Sequence, residues 1–471
     1  MLKKILIANR GEIAVRIVRA CAEMNIRSVA VYTEPDRHAL HVKRADEAHC
    51  VGEDPLAGYL DARRLVNMAV ETGCDAIHPG YGFLSENSEF ARICADRGVT
   101  FIGPDADVIA KMGDKTAARA SMMAAGVPVT PGSQGNLSDL NEALRVAGEI
   151  GYPVMLKATS GGGGRGIRRC DSPADLKAQY PRVISEATKA FGSAEVFLEK
   201  CIVDPKHIEV QVLADSQGNA IHLYERDCSI QRRNQKLIEI APSPQLTPEQ
   251  RNYVGELAVR AAQAVGYENA GTVEFLVTGN EIYFMEMNTR VQVEHTITEQ
   301  ITGVDIVREQ IRIASGLPLS YRQEEISFRG YALQFRINAE DPKNNFLPSF
   351  GRITRYYAPG GPGVRTDTAI YTGYTIPPYF DSMCLKLVVW ALNWEDTLDR
   401  GARALSDMRL QGVKTTARYY QEILQNPEFR SGEFNTSFVP NHPELLNYSD
   451  KRDPSEVALA IATAIAAYAG L

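Results

Sequence analysis

The residues best suited to chemistry gather in one stretch near the middle of the chain. Residues 271–295 read GTVEFLVTGNEIYFMEMNTRVQVEH, and turn-forming residues at 278–280 separate two β-forming runs. This pattern predicts a β-hairpin. If the turn centres on its last residue, Glu274 lies opposite Glu286, and Asn288 follows on the same face because side chains alternate along a strand. The hairpin would then present two carboxylates and an amide together.

Paired carboxylates on neighbouring strands repel each other, and a cation between them relieves that repulsion. The three oxygen ligands are hard, which suits Mg²⁺ or Mn²⁺, and Mg²⁺ usually binds together with a substrate's phosphate groups. We therefore predict a metal site formed by Glu274, Glu286 and Asn288. A solvated acidic face is the alternative. It is disfavoured because the polar series continues to His295, where a structural strand would bury alternate side chains.

Composition bounds the kind of protein. A chain of 471 residues is long enough for about three domains, and 44% apolar residues can fill their cores. The net charge of −7 argues against a nucleic-acid partner, and no apolar run reaches the ~18 residues of a membrane span. The eight cysteines form no C-x-x-C pair, which is typical of core thiols in a reducing compartment. We expect a globular, cytoplasmic protein.

The elements that position the hairpin change in character along the chain. Up to residue 102, short apolar runs alternate with helical patterns, which predicts a parallel sheet covered by helices. This region has neither a G-x-G-x-x-G fingerprint nor a Walker loop, which excludes dinucleotide binding and a P-loop. Further on, TSGGGGRG places Gly163 and Gly164 in a glycine run beside the cations Lys157 and Arg165. It predicts a mobile lid over a phosphate ligand, with a flexible linker as the alternative.

Several segments resemble one family. EMNTRVQVEH, at 286–295, resembles the active-site segment of the biotin carboxylases, which are members of the ATP-grasp superfamily. IANRGEIAVRI and HPGYGFLSEN are similar to the N-terminal domain of that family, and RINAEDP matches a further motif of it. The resemblance covers residues 1–440, and it implies the fold as well as the chemistry.

The implied fold is a multidomain α/β and α+β protein. Its parts are an N-terminal parallel α/β domain (1–112), an ATP-grasp domain (113–317) with a mobile glycine-rich lid (130–202), a β-rich C-terminal biotin carboxylase domain (330–440) and a C-terminal helical extension (441–471). Another ATP-grasp ligase that forms an acyl phosphate, such as half of a carbamoyl-phosphate synthetase, would share the carboxylate pair and the lid. Only a biotin carboxylase explains Arg336 within RINAEDP. A non-catalytic ATP-binding subunit is disfavoured by the number of charged site residues.

The resemblance also implies roles for individual residues. ATP is expected to contact Lys115, Lys157, Gly163, Gly164, Glu199, Lys200, Ile202, His207 and Asn234, and bicarbonate to contact Arg290, Gln292, Val293 and Lys236. Glu294 is expected to remove the bicarbonate proton and Arg336 to stabilise the enolate of biotin; with Arg290 and Lys236 they form the expected catalytic set. Asn234 departs from the family pattern, in which a titratable histidine is usual.

Partners follow from the same resemblance. No M-K-M tripeptide of the kind that carries biotin occurs in the chain, so biotin is expected in trans on a carrier. ALQFRINAEDPKNNF and FNTSFVPNHPEL resemble the first subunit of two-subunit pyruvate carboxylases more than the biotin carboxylase component of acetyl-CoA carboxylases. We expect a homo-oligomer bound to a biotin carrier and carboxyltransferase subunit. The apolar stripe at Val457, Ile461, Ile465 and Tyr468 either packs on its own domain or contacts that subunit.

Overall fold

The N-terminal part of the chain forms the predicted parallel α/β sheet. A computed structural model describes residues 1–133, 135–159, 166–449 and 454–469. The first elements are β1 (Lys4–Ile7), α1 (Gly11–Glu23), β2 (Arg27–Thr33), α2 (Leu40–Arg44), β3 (Glu47–Gly52), α3 (Ala57–Leu60), α4 (Ala62–Glu71), β4 (Ala76–His78), α5 (Ser88–Asp96), β5 (Thr100–Phe101) and α6 (Ala106–Gly113). The strands pair in parallel in the order β3-β2-β1-β4-β5. Ile5 and Ile7 pack with α1 while Leu6 packs with α4, so both faces are covered.

A small antiparallel sheet follows in the region predicted to form the lid. Its elements are α7 (Lys115–Ala124), α8 (Leu140–Ile150), β6 (Val154–Ala158), β7 (Ile167–Cys170), α9 (Pro173–Phe191) and β8 (Val196–Lys200), with strand order β7-β6-β8. Helices α8 and α9 pack on this sheet through a core that includes Leu156, Val183 and Leu198. The glycine run with Gly163, Gly164 and Arg165 lies outside the described residues.

The centre of the chain forms a further antiparallel sheet, which has one apolar and one polar face. Its elements are β9 (Lys206–Ala214), β10 (Ala220–Arg232), β11 (Gln235–Ala241), α10 (Pro248–Ala264), β12 (Asn269–Thr278), β13 (Glu281–Asn288), α11 (His295–Thr302) and α12 (Ile306–Ala314). On β9, Ile208, Val210 and Val212 enter the core under α10. The alternate residues, including His207 and Glu209, therefore face the opposite side.

This sheet continues into the C-terminal region. The remaining elements are β14 (Tyr331–Asn338), β15 (Glu340–Asp341), β16 (Leu347–Pro348), β17 (Gly351–Arg352), β18 (Arg355–Tyr357), β19 (Val364–Thr368), β20 (Thr375–Ile376), β21 (Met383–Ala391), α13 (Trp394–Asp407), β22 (Arg409–Gln411), α14 (Ala417–Gln425), α15 (Pro427–Ser431), α16 (Phe438–Asn441) and α17 (Pro454–Ala469). In the described chain the sheet order is β13-β12-β9-β10-β11-β14-β21-β19. The β11–β14 pairing, with Ile238 opposite Phe335, brings Arg336 to the central site.

The hairpin of β12 and β13 has the predicted pairing but a different turn. Glu274 lies opposite Glu286, as expected. The turn, however, contains only two residues, because Thr278 already pairs with Glu281. A two-residue turn would place Met285 opposite Glu274, and a β-bulge at Met285 shifts the register by one residue. The bulge thus brings the two carboxylates together.

In the last described helix, α17, residues 458–469 are exposed apart from the half-buried Ala466. The side chains of Leu459, Ile461, Ile465 and Tyr468 are all more than half exposed. The side chain of Val457 is not among those that the structure describes. Within the described residues, the stripe therefore does not pack on its own domain. None of the described helices is long and apolar enough to cross a bilayer.

Candidate active site

Three carboxylates stand side by side across neighbouring strands. Glu274 on β12 is opposite Glu209 on β9 and opposite Glu286 on β13. Glu209 and Glu274 are buried, so water does not screen their repulsion. Burial and the charge of Glu274 raise the pKa of Glu286. This row of anions requires nearby cations to stay ionised.

Lys236 on β11 supplies the central positive charge. Its Nζ donates to Glu209 Oε2 at 2.5 Å, to Glu274 Oε1 at 2.9 Å and to Glu294 Oε1 at 2.7 Å. Burial disfavours the charged forms of Lys236 and the carboxylates, but the attraction between these opposite charges outweighs that penalty. It holds the pKa of Lys236 well above its ordinary range and the pKa of Glu274, which also contacts His207, well below. All three ammonium protons of Lys236 are thereby used.

Glu294 connects the lysine to Arg336. Its other oxygen, Oε2, accepts from Arg336 Nη2 at 2.9 Å, while Arg336 Nε donates to the buried carboxylate of Glu239. Burial opposes ionisation of Glu294, but Lys236 and Arg336 outweigh it and lower the pKa of Glu294. Arg336 lies on β14 in the C-terminal region and Glu294 lies just before α11 in the central one, so this contact joins the two regions.

Hydrogen bonds hold the loop between β13 and α11, residues 289–294, in place. Gln292 Nε2 donates to Glu274 Oε1 at 2.9 Å, and the carbonyl of Val293 accepts from Lys386 Nζ at 3.0 Å. Arg290 Nη2 donates to Asn288 Oδ1 at 2.9 Å, and Asn288 Nδ2 donates to Glu274 Oε1 at 3.0 Å. The structure thus brings the predicted metal and bicarbonate residues into one cluster.

The residues predicted to contact ATP lie in two groups. His207 Nε2 lies 2.9 Å from Glu274 Oε2, within the carboxylate cluster. On the three-stranded sheet of β6, β7 and β8, which lies in the predicted lid, Lys157 donates to Glu199. Lys200 Nζ instead donates to the carbonyls of Gly151 and Tyr152 at 3.0 and 3.1 Å, and the half-buried Ile202 follows β8. Lys115 begins α7; burial lowers its pKa, while the charge of Glu286 opposes the shift.

The backbone conformation at residue 234 favours asparagine. It is exposed in the two-residue turn between β10 and β11, where Arg232 pairs with Gln235. Arg233 and Asn234 both have positive φ, at 49° and 64°. Asparagine tolerates this left-handed conformation better than most residues. Its side chain lies outside the buried carboxylate cluster.

Sequence reasoning missed several residues that hold the cluster. They are Glu86, which accepts from Arg290 Nε at 2.9 Å, and the buried Glu209, Arg226, Glu239 and Lys386. The sequence offered one signal of buried charge, the triplet Glu225-Arg226-Asp227 within an otherwise apolar strand pattern. Charged residues are rarely buried unless they are paired, so this triplet indicates buried ion pairs. The partners themselves are up to hundreds of residues apart in sequence, so no spacing could identify them.

Removing Lys236 should destabilise the fold most at neutral pH. In the native chain the depressed pKa values of Glu274 and Glu294 stabilise the folded state above their ordinary value near 4.5, and this contribution fades as pH falls through the folded values. In Lys236→Met the carboxylates are buried without their shared cation, so their pKa values should rise and they should take up protons before the pH falls to 5. We expect a loss of about 3–5 kcal/mol in the free energy of unfolding at neutral pH. This protonation should make the loss smaller towards pH 5, as measured by urea denaturation.

The matched control is Lys177→Met, which removes an exposed lysine from α9. It should change the free energy of unfolding by less than about 0.5 kcal/mol at every pH. A Lys236→Met deficit that is the same at pH 8 and pH 5 would contradict the assigned carboxylate network.

Comparison with known proteins agrees with this geometry. The biotin carboxylase N-terminal domain family matches residues 1–109, the ATP-binding domain family of the carbamoyl-phosphate synthase L chain matches 114–322, and the biotin carboxylase C-terminal domain family matches 334–441. The central match is shared with carbamoyl-phosphate synthases, whereas both flanking domains are those of biotin carboxylases.

Individual relatives extend the match along the whole chain. The 2-oxoglutarate carboxylase small subunit of Hydrogenobacter thermophilus is 55% identical over 100% of both chains. The matching subunit of the pyruvate carboxylase of Methanothermobacter thermautotrophicus is 51% identical over 94% of this chain and 90% of its own. The solved biotin carboxylase domain dimer of the Hydrogenobacter enzyme, in complex with MgADP, ADP and bicarbonate, is 56% identical with a TM-score of 0.93, covering 96% of this chain and 100% of that one. This chain therefore belongs to the biotin carboxylase family and is a ligase.

Proposed function

We propose that this chain is the biotin carboxylase subunit of a two-subunit pyruvate carboxylase, and that it uses ATP and bicarbonate to carboxylate biotin supplied in trans. The observation that carries the proposal is the double contact of Glu294. One of its oxygens accepts from Lys236 at 2.7 Å and the other from Arg336 at 2.9 Å. A single carboxylate thus lies between the residue assigned to bicarbonate and the residue assigned to biotin.

Glu274, Glu286 and Asn288 fit a magnesium site. They offer hard oxygens from adjacent strand positions, and the raised pKa of Glu286 reflects a half-buried carboxylate beside Glu274 that a cation would hold ionised. Mg²⁺ there would neutralise negative charge on the ATP phosphates. Another set, His207, Glu209 and Glu274, has ligand atoms within 4.8 Å of one another. It suits a metal less well because Lys236 contacts two of its three members, Glu209 and Glu274, whereas in the first set it contacts Glu274.

Lys115 and Lys157 are assigned to the phosphates of ATP. Lys157 lies on β6 and Lys115 at the start of α7, close enough to Glu286 for their charges to interact. An anionic nucleotide would compete with Glu199 for Lys157. Glu199, Lys200 and Ile202 are assigned to the adenine end, since they form the end of β8 and the residues beyond it. The MgADP bound to the Hydrogenobacter relative supports a nucleotide site in this chain.

Bicarbonate is assigned to the loop after β13. Gln292 and Arg290 provide side-chain donors, the backbone of Val293 provides a further contact, and Lys236 provides charge. Glu294 accepts the bicarbonate proton, a bicarbonate oxygen attacks the γ-phosphorus, and ADP leaves. The resulting carboxyphosphate breaks down to carbon dioxide and phosphate.

The lowered pKa of Glu294 makes it a weak base while Lys236 and Arg336 both contact it. These two residues are the ones assigned to the substrates. Binding of bicarbonate and biotin would draw them away from Glu294 and raise its pKa. Proton removal is thereby coupled to the presence of both substrates.

Arg336 is assigned to biotin. The phosphate released from carboxyphosphate takes the ureido proton, Arg336 stabilises the negative oxygen of the enolate, and the ureido nitrogen then adds to carbon dioxide. Contacts with Glu239 and Glu294 hold the guanidinium in place before biotin arrives.

Pyruvate is the proposed final acceptor, as in the Methanothermobacter relative. A second candidate is 2-oxoglutarate, because the similarity to the Hydrogenobacter small subunit extends over 100% of both chains and so includes α17. Both acceptors are 2-oxoacids. Acetyl-CoA is the remaining alternative, and none of the residues named here is assigned to the acceptor.

We further propose that the chain forms a homodimer in the cytoplasm and binds a biotin carrier and carboxyltransferase subunit through α17. The dimer is supported by the Hydrogenobacter structure. The exposed side chains of Ile461, Ile465 and Tyr468 offer an apolar surface for the partner. A cytoplasmic location stays a prediction, supported by eight cysteines that form no disulfide.

Glu286→Gln should abolish bicarbonate-dependent ATP cleavage and leave the fold intact, because it removes a metal-ligand charge and little volume. We expect a fall in kcat of about 100-fold or more, measured as ADP release with and without bicarbonate. Glu281→Gln, at the exposed start of the same strand, is the control and should retain normal activity. Near-normal activity of Glu286→Gln would refute the metal assignment.

Arg336→Gln should separate the two half-reactions, because Arg336 is assigned to biotin and not to ATP. Carboxylation of free biotin should fall far more than the slow ATP hydrolysis that occurs without biotin. Arg329→Gln, at an exposed arginine just before β14, serves as the control. If both activities fall equally, Arg336 acts in the nucleotide site instead.

Deleting residues 450–471 should abolish binding of the carboxyltransferase subunit while carboxylation of free biotin continues unchanged. Ile461→Ser combined with Ile465→Ser should weaken the complex in the same direction, because it removes apolar surface and keeps the helix. Pull-down measures the complex, and assays with pyruvate, 2-oxoglutarate and acetyl-CoA identify the acceptor. Survival of the complex after deletion would remove α17 from the interface, and carboxylation of acetyl-CoA alone would overturn the 2-oxoacid assignment.

A further inference from the structure

Arg226 is a fully buried arginine at the back of the carboxylate cluster. A guanidinium has five N–H donors, and Arg226 makes five hydrogen bonds. Nε donates to Glu209 Oε1 at 2.5 Å, Nη1 to Gln211 Oε1 at 2.8 Å and Thr298 Oγ1 at 3.0 Å, and Nη2 to Thr272 Oγ1 at 3.1 Å and Gln292 Oε1 at 2.7 Å.

Four of these five acceptors lie on regular elements. Glu209 and Gln211 belong to β9, Thr272 to β12 and Thr298 to α11. They fix the position and plane of the guanidinium. The fifth acceptor, Gln292, is in the loop after β13, so that hydrogen bond attaches a loop side chain to a rigid frame.

The bond to Arg226 determines which end of the Gln292 amide faces the site. Arginine offers only donors, so the atom that faces it must be the amide oxygen. The amide nitrogen then points into the site, where it donates to Glu274 Oε1 at 2.9 Å. An amide turned the other way would present its oxygen to an incoming anion and repel it.

We propose that Arg226 is a positioning residue that holds Gln292 with its N–H donors towards bicarbonate and thereby sets the affinity for this substrate. The inference rests on the proposed function, which assigns bicarbonate to Gln292. Arg226 is also paired with Glu209, the carboxylate that shares Lys236. It therefore acts on the substrate only through its neighbours.

The test is the steady-state kinetics of bicarbonate-dependent ATP cleavage by Arg226→Lys. Lysine keeps the charge next to Glu209, but its three donors cannot serve five acceptors, and Gln292 becomes free to rotate. The KM for bicarbonate should rise about tenfold, while the KM for ATP stays within about twofold. Thr298→Val is the control, because it removes an acceptor from Nη1 and leaves the Nη2 contact with Gln292 in place. It should change the KM for bicarbonate by less than about twofold, because the Nη2 contact that orients Gln292 remains.

Thr272→Val keeps the inference testable if Arg226→Lys fails to fold. It removes the other acceptor of Nη2, is isosteric and retains the buried charge pair. It should raise the KM for bicarbonate by about threefold without changing the KM for ATP. The inference is overturned if the KM for bicarbonate is unchanged, if the two KM values rise together, or if Thr298→Val has the same effect.

Gln292→Met separates this inference from the proposed function. If Gln292→Met leaves the KM for bicarbonate unchanged, the assignment of bicarbonate to Gln292 is wrong, and the inference about Arg226 fails with it. If Gln292→Met raises this KM and the folded Arg226→Lys variant does not, the site assignment stands and only the role of Arg226 is lost.

Discussion

The structure of the site depends on the ammonium group of Lys236. Glu209, Glu274 and Glu294 converge on this one cation within 2.9 Å. Ionised carboxylates are costly to bury, and each needs a positive partner with good hydrogen-bond geometry. Lys236 satisfies one oxygen of each. The remaining oxygens are shared with residues that the proposed reaction uses or that support them.

Electrostatic pairing also explains why distant parts of the chain meet here. Arg336 contacts Glu239 and Glu294 from β14, and Lys386 contacts the loop carbonyl of Val293 from β21. Lys386 also lies 3.1 Å from Glu12 on α1. The N-terminal, central and C-terminal regions thus all contribute charge to the same site. The continuous pairing from β13 to β19 provides the rigid support that such contacts need.

The sequence predicted those parts of the site that depend on local pattern or on family motifs. The hairpin and the pairing of Glu274 with Glu286 follow from strand alternation, and the pairing is confirmed. The length of the turn was wrong, because a two-residue turn and a bulge give the same pairing as a turn centred on residue 280. The parallel N-terminal sheet is likewise confirmed, since β-α alternation is a local signal.

What could not be predicted depends on contacts between distant residues. Arg226 reaches Thr298 on α11 and Gln292, and no residue spacing encodes those contacts. Nor could the sequence predict that β11 pairs with β14 and so joins the central and C-terminal strands into one sheet. The residue pattern of each strand is consistent with an edge strand. Site residues can be identified by type, whereas their orientation is set by long-range pairing.

The most direct test of the account follows oxygen from bicarbonate. If Glu294 and Lys236 activate bicarbonate for attack on the γ-phosphorus, bicarbonate labelled with ¹⁸O must transfer an oxygen to the phosphate released from ATP. Mass spectrometry of that phosphate, after turnover with free biotin, should show one labelled oxygen per phosphate formed in the coupled reaction. Label-free phosphate at full carboxylation activity would contradict the account, because it would exclude carboxyphosphate as the intermediate.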